Sequence, residues 1–272
     1  MPELPEVETT LRGIEPHILN YVVERIVVRQ RSLRWPVPQD IDTVFSGEKI
    51  VKVRRRAKYL LLCCRQNTLI IHLGMSGSLR VLPTASEFNK HDHLDIEFNN
   101  GAILRFHDPR RFGCVLYSNN SDLESHKLLA NLGPEPFEEE FSAGYLFKQT
   151  RKRNIAIKSF IMNSTIVVGV GNIYASEALH MAGIMPGKAA RRVSLAAYNR
   201  LVEAIKTVLA RAIESGGTTL KDFTNGDGKP GYFSQQLNVY GRAGEPCYRC
   251  GATIRSRVLG QRTSYYCATC QK

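Results

Sequence analysis

His93-Leu94-Asp95-Ile96-Glu97-Phe98-Asn99-Asn100-Gly101-Ala102-Ile103-Leu104-Arg105-Phe106 decides the fold class. Two short runs rich in β-branched and aromatic residues flank Asn-Asn-Gly, which predicts a β-hairpin. Runs of the same texture lie on both sides: Tyr21–Val28, Tyr59–Cys64 and Thr68–Leu73 before it, Cys114–Tyr117 after it. Turn signals separate them, so residues 20–118 predict an antiparallel sandwich or barrel. Ahead of these strands Val7, Leu11, Ile14 and Ile18 recur at helical spacing, which predicts an amphipathic helix over 5–18.

After Ser118 the texture becomes helical. Ser121–Leu132 predicts a helix capped by Gly133 and stopped by Pro134, and Pro134-Glu135-Pro136 reads as a linker. Tyr145–Lys152, Ala156–Ser164 and Asn172–Met181 predict helices, the last stopped at Gly183. The strongest stripe runs through Leu195, Leu201, Val202, Ile205, Val208, Leu209 and Ile213 and ends at Gly216-Gly217. Residues 216–236 carry little periodicity, and a loop that long is functional or disordered. The expected architecture is α+β in two domains. An N-terminal antiparallel β-sandwich with a leading helix occupies 1–133. A helical region follows over 134–236, and a hairpin over 237–272 completes the C-terminal domain.

The 272 residues carry a net charge of +12, with 43% hydrophobic and 23% charged side chains. That composition excludes disorder as the main state. No apolar run approaches the ~18–20 residues that span a bilayer. The start, Met1-Pro2-Glu3-Leu4-Pro5-Glu6-Val7-Glu8, is acidic and Pro-rich, so no secretory signal is expected. Seven cysteines are an odd number for a closed disulfide framework, and a reducing cytoplasm is the simpler expectation. The charge is uneven: residues 1–135 hold 18 basic and 16 acidic side chains, residues 136–272 hold 19 and 9. A basic half of this kind points to a polyanion, nucleic acid first. A smaller cluster, Lys52, Arg54, Arg55, Arg56 and Lys58, precedes the apolar run Tyr59-Leu60-Leu61-Leu62.

Cys247-x2-Cys250-x16-Cys267-x2-Cys270 is the most specific spacing in the chain. Four thiolates in two tight knuckles suit a closed tetrahedral site for one structural zinc. Four cysteines leave no open position for a catalytic water, and the alternative is a pair of disulfides. The sixteen residues between the pairs fit two short strands with a turn near Leu259-Gly260-Gln261-Arg262. Cys63, Cys64 and Cys114 lie in strand-like runs and read as buried small apolar residues.

Pro2 matters chemically. Initiator Met is readily removed before a small residue, which leaves a secondary amine titrating near pH ~8. Such an amine attacking a carbonyl-level carbon gives a cationic iminium, an electron sink. Glu3 and Glu6 lie within a helical turn and offer proton-transfer groups. The same residues also read as a plain helix start, with Pro5 in the first turn and Glu near the positive helix end.

Several blocks together carry a resemblance. They are Met1-Pro2-Glu3-Leu4-Pro5-Glu6-Val7-Glu8-Thr9, Arg56-Ala57-Lys58-Tyr59-Leu60, His72-Leu73-Gly74-Met75-Ser76-Gly77 and Lys90-His91-Asp92-His93. Asp108-Pro109-Arg110-Arg111-Phe112-Gly113, Leu132-Gly133-Pro134-Glu135-Pro136, Val168-Gly169-Val170-Gly171-Asn172-Ile173-Tyr174 and the zinc hairpin complete the set. In this order, from first residue to last, the chain resembles the bacterial formamidopyrimidine-DNA glycosylases. The sister endonuclease VIII group typically has Gly where Leu4 stands and lacks the pattern Gly216-Gly217-Thr218-Thr219-Leu220-Lys221-Asp222-Phe223.

The resemblance implies a monomeric, cytoplasmic, nucleoid-associated enzyme of base excision repair. It would excise oxidised purines, 8-oxoguanine and formamidopyrimidines, from duplex DNA and cleave the strand by β,δ-elimination, without redox cofactor or membrane partner. Pro2 would attack C1′ and Glu3 would shuttle protons. Lys58 matches a proton donor in β-elimination. Arg262 matches a δ-elimination and phosphate-grip residue; grip is favoured because a guanidinium is a poor proton donor near neutral pH. Met75, Arg110 and Phe112 match the triad inserted where the flipped nucleotide leaves the stack. His91, Arg110, Arg153, Lys158 and Asn172 match DNA-binding positions. Gly169-x-Gly171 lacks the third Gly of a dinucleotide fingerprint, since Tyr174 stands there. By resemblance it is the turn of a helix–two-turns–helix element holding phosphate, and 216–236 is the lesion-reading loop. Two rival readings are an endonuclease VIII-like enzyme for oxidised pyrimidines and a non-catalytic zinc-hairpin DNA-binding protein. RNA binding is disfavoured by the lack of an RNP-type aromatic pattern.

Overall fold

The computed structural model describes residues 2–83, 86–216 and 237–272. Two compact units emerge, one built by the chain up to Ala130, the other by Asn131–Glu214 with the C-terminal residues.

In the first unit the elements run α1 (Leu4–Ile18), β1 (Val23–Val28), α2 (Ile41–Phe45), β2 (Lys52–Arg56), β3 (Tyr59–Cys63), β4 (Asn67–His72), β5 (Ser78–Pro83), β6 (Asp92–Phe98), β7 (Ala102–His107) and β8 (Cys114–Asn119). They form two antiparallel four-stranded sheets, ordered β1-β6-β7-β5 and β2-β3-β4-β8. Val7, Leu11, Ile14 and Ile18 of α1 share one core with Leu60, Leu62, Leu69 and Ile71 of one sheet and Leu94, Ile96, Phe98, Leu104 and Phe106 of the other. The unit is therefore a sandwich, and each such side chain contributes roughly 1.5–3 kcal/mol on burial. The expected hairpin joins β6 and β7: Gly101 takes φ 80° and its N–H donates to the Phe98 carbonyl at 2.9 Å.

Two strands lie outside the strand-like runs read from the sequence. β2 is the basic cluster itself, with Val53 buried while Lys52 and Arg54 face solvent. β5 pairs with β7 in the other sheet. The helix expected over Ser121–Leu132 does not form. Asn120–Asp122 makes one 3-10 turn, and turns continue to Asn131. Local side-chain bonds compete with a helix there: Asn119 Oδ1 accepts from the Ser121 N–H at 3.0 Å, and Ser125 Oγ donates to the Asp122 carbonyl at 2.9 Å. Gly133 is accordingly no helix cap. A Cβ there would meet the Ile166 carbonyl carbon at 2.8 Å, so close backbone packing explains the glycine.

The second unit holds α3 (Ala143–Thr150), α4 (Ile157–Ile161), α5 (Asn172–Ala182), α6 (Leu195–Glu214), β9 (Ile254–Leu259) and β10 (Arg262–Cys267). α6 packs against α3 and α5 through Leu201, Val202, Ile205, Val208 and Leu209. Leu195, at its start, is exposed. Gly183 caps α5 at φ 71°. Gly260 and Gln261, at φ 53° and 62°, form the tight turn between β9 and β10. Among the described residues no helix is long and apolar enough to cross a membrane.

Candidate active site

Pro2 and Glu3 lie buried directly before α1. The Glu3 N–H donates to Glu6 Oε2 at 2.8 Å, and both glutamates are buried. Glu6 thus fixes the backbone beside Pro2. One turn on, the Glu8 carboxylate accepts from Arg55 Nε at 3.0 Å, and Arg55 Nη1 donates to the Ala57 carbonyl at 2.9 Å. Ala57 and Lys58 form the turn between β2 and β3, with Ala57 at φ 55°. A carboxylate and a guanidinium therefore link the helix that follows Pro2 to the turn that carries Lys58. Across β3 and β4, burial pushes the His72 imidazole down to about 4, and the charges of Lys58 and Arg34 add to this. His72 is neutral at pH 7, and its Nδ1 accepts from the Gly74 N–H at 3.0 Å.

Met75 lies half-buried in the β4–β5 turn, while Arg110 and Phe112 stand exposed on the β7–β8 loop. The two segments touch at backbone level: a Cβ on Gly74 would fall 2.4 Å from the Gly113 nitrogen. The Arg110 guanidinium sits 4.9 Å from the centre of the Phe112 ring, which is 45% exposed. His91 precedes β6, with its ring 6.0 Å from that of His107.

In the second unit Gly169 takes φ 79° and Gly171 precedes Asn172, the first residue of α5. Lys158 is buried; its Nζ reaches Asn172 Oδ1 at 2.6 Å, the Thr263 carbonyl at 3.1 Å and Ser264 Oγ at 2.9 Å. That ammonium therefore joins the start of α5 to the strand next to exposed Arg262. Arg153 is exposed beyond α3, its guanidinium 5.8 Å from the Phe160 ring.

The Sγ atoms of Cys247, Cys250, Cys267 and Cys270 lie within 4.8 Å of one another. Cys250 and Cys267 are 3.5 Å apart at sulfur, Cys247 and Cys270 4.0 Å. A tetrahedron of four sulfurs around zinc, with Zn–S near ~2.3 Å, has its sulfurs about 3.8 Å apart. One zinc ion fits these residues, and disulfide pairing does not describe them. Burial pushes the Cys267 thiol up, yet the backbone N–H groups of Cys270 and Thr269, together with the thiols of Cys250 and Cys270, outweigh this and bring it to about 7. Among the described residues, Val239, Cys247, Ile254 and Cys267 are the buried members of the small core here. So few apolar residues need a metal staple.

Family models match along the chain: Formamidopyrimidine-DNA glycosylase N-terminal domain over 1–115, Formamidopyrimidine-DNA glycosylase H2TH domain over 132–224, and a zinc finger found in FPG and IleRS over 244–272. The formamidopyrimidine-DNA glycosylases of Stutzerimonas stutzeri and Pseudomonas aeruginosa are 57% and 58% identical, with both chains covered in full. The chain belongs to the formamidopyrimidine-DNA glycosylase family. Its fold matches that of a Lactococcus lactis FPG mutant in complex with a Fapy-dG containing DNA, at TM-score 0.93 and 31% identity with full coverage of both chains. It matches the Thermus thermophilus MutM (FPG) protein at TM-score 0.89 and 36% identity, covering 99% of this chain and 98% of that one.

Sequence reading missed some of the residues that hold this glycosylase site together. Glu177 on α5 is buried and accepts from the N–H groups of Asn238, Val239 and Tyr240 at 2.8–2.9 Å, anchoring the approach to the zinc hairpin. No motif flags it; only a buried Glu in mid-helix hints at it. Residues 217–236, which hold the expected lesion-reading loop apart from Gly216, lie outside the described residues.

Proposed function

We propose that the protein is a bifunctional DNA glycosylase and AP lyase that removes oxidised purines from duplex DNA. The observation that carries this is a buried Pro2-Glu3 pair at the head of α1 in a chain that matches the family end to end. After removal of Met1, the Pro2 nitrogen attacks C1′ of the everted nucleotide. The C1′–base bond breaks, the base leaves with its bonding pair and takes up a proton, and the sugar ring opens as Glu3 passes a proton to O4′. The resulting iminium acidifies C2′, so loss of that proton expels the 3′ phosphate. A second elimination expels the 5′ phosphate, and water hydrolyses the Schiff base to free Pro2.

Lys58 serves the β-elimination as proton donor. Arg262, Arg153, His91 and Arg110 grip the backbone, while Asn172 at the head of α5 receives a phosphate. Lys158 supports Asn172 from beneath. Met75, Arg110 and Phe112 fill the vacated stack. Cys247, Cys250, Cys267 and Cys270 hold zinc, which supplies structure. We assign chemistry and eversion to 1–133, backbone recognition to 134–236 and the hairpin contact to 237–272, in an enzyme of the cytoplasmic nucleoid. Excision of 8-oxoguanine and thymine glycol from matched duplexes tests the substrate class. The purine is expected to be removed faster; a strong pyrimidine preference overturns the assignment in favour of the sister group.

A further inference from the structure

Asp108 is fully buried, and its side chain touches both loops that carry the stack-filling residues. Its Oδ1 accepts from Ser76 Oγ at 2.9 Å and from the Arg110 N–H at 3.3 Å. Its Oδ2 accepts from the Gly113 N–H at 2.8 Å. Ser76 adjoins Met75; Arg110 and Gly113 bracket Phe112. The Asp108 backbone is held as well: its N–H donates to the His91 carbonyl at 3.0 Å, and its carbonyl faces His93 Nε2 at 2.7 Å. Three blocks far apart in sequence, 72–77, 90–93 and 108–113, thus converge on one residue.

The packing leaves no slack. A Cβ on Gly113 would meet the His72 carbonyl oxygen at 2.6 Å and Phe106 at 2.7 Å. Arg111 takes φ 56°, a left-handed conformation that a non-glycine residue holds only when its surroundings impose it. A carboxylate accepts at both oxygens, which suits the hydroxyl and N–H donors here. A side-chain amide of the same shape would turn one acceptor into a donor facing a donor.

We propose that Asp108 is a positioning residue for base eversion: its carboxylate locks Met75 on one loop to Arg110 and Phe112 on the other, so that they enter the duplex as one rigid wedge. This rests on the reading of those three side chains as the inserted triad. Eversion has to be completed before C1′ is attacked, so a loosened wedge slows excision from duplex DNA. It leaves elimination at an abasic site in single-stranded DNA alone, because no partner base has to be replaced there.

The test compares full-length wild type with Asp108→Asn, Ser76→Ala, their double variant and Phe112→Ala as reference for the wedge. The readouts are single-turnover excision of 8-oxoguanine from duplex, fluorescence of a 2-aminopurine beside the lesion, and cleavage of single-stranded abasic DNA. Asp108→Asn is expected to slow duplex excision roughly 10- to 100-fold and to blunt the fluorescence change. Single-stranded cleavage stays near wild type. Ser76→Ala gives a smaller loss of the same kind and adds little on top of Asp108→Asn, since both remove one shared bond. If Asp108→Asn does not fold, Ser76→Ala carries the comparison alone. Wild-type eversion in Asp108→Asn or Ser76→Ala beside a defective Phe112→Ala overturns the clamp and leaves the wedge standing. Equal loss on both substrates in Asp108→Asn overturns it too, by showing general damage. Wild-type eversion in Phe112→Ala removes the wedge reading, and the clamp falls with it.

Discussion

At the scale of single residues, the site depends on atoms that are absent as much as on atoms that are present. Gly74 takes φ 67°, and a methyl group there would collide with the Gly113 nitrogen. Gly74→Ala should therefore cost at least about 1–3 kcal/mol of stability, read as a lower midpoint in chemical denaturation. An unchanged midpoint would mean that the two loops separate easily. His72 makes a second prediction. Its folded value of about 4 lies below the ~6.5 of an unfolded histidine, so on acidification the unfolded chain takes up this proton first. Its contribution is intact above that unfolded value and is lost as pH falls towards 4. His72→Asn keeps an acceptor for Gly74 and does not titrate, so its Tm should fall less than that of wild type between pH 6.5 and 4.5. Parallel Tm curves would refute the buried neutral state.

Among the elements, β2 and the zinc hairpin show how polar sequence can be structural. Arg55 reads as one charge among five, yet it joins α1 to the Lys58 turn through Glu8. The hairpin has almost no core of its own, so Cys250→Ser should lose zinc and DNA affinity together. Metal analysis showing one zinc retained with full binding would contradict the fit of the four thiols. At the hairpin tip, Arg262→Ala should weaken binding to all duplexes alike and reduce the slope of log K against log salt by about 1. An unaltered slope would mean that Arg262 touches no phosphate.

For the whole molecule, the parts of the fold that follow from periodicity were legible in the sequence. The α1 and α6 stripes, the Asn-Asn-Gly hairpin and the turn between the two cysteine pairs all form where spacing places them. β2 escaped because its alternation is carried by one valine among cations, and Ser121–Leu132 misled because the Asn119, Ser121 and Ser125 side chains bond locally instead of permitting a helix. At the site, the cysteines could be named in advance from their spacing, whereas Pro2 and Glu3 also read as a plain helix start and are singled out by the family resemblance. Asp108 and Glu177 could not be named in advance, because their importance lies in which distant N–H groups they meet. The central claim concerns a covalent bond, and borohydride reduction during turnover of an 8-oxoguanine duplex, followed by N-terminal peptide mass mapping, tests it most directly. The adduct is predicted on the Pro2 nitrogen of a chain lacking Met1. An adduct on a lysine side chain, or full activity in a chain that keeps Met1, would contradict it.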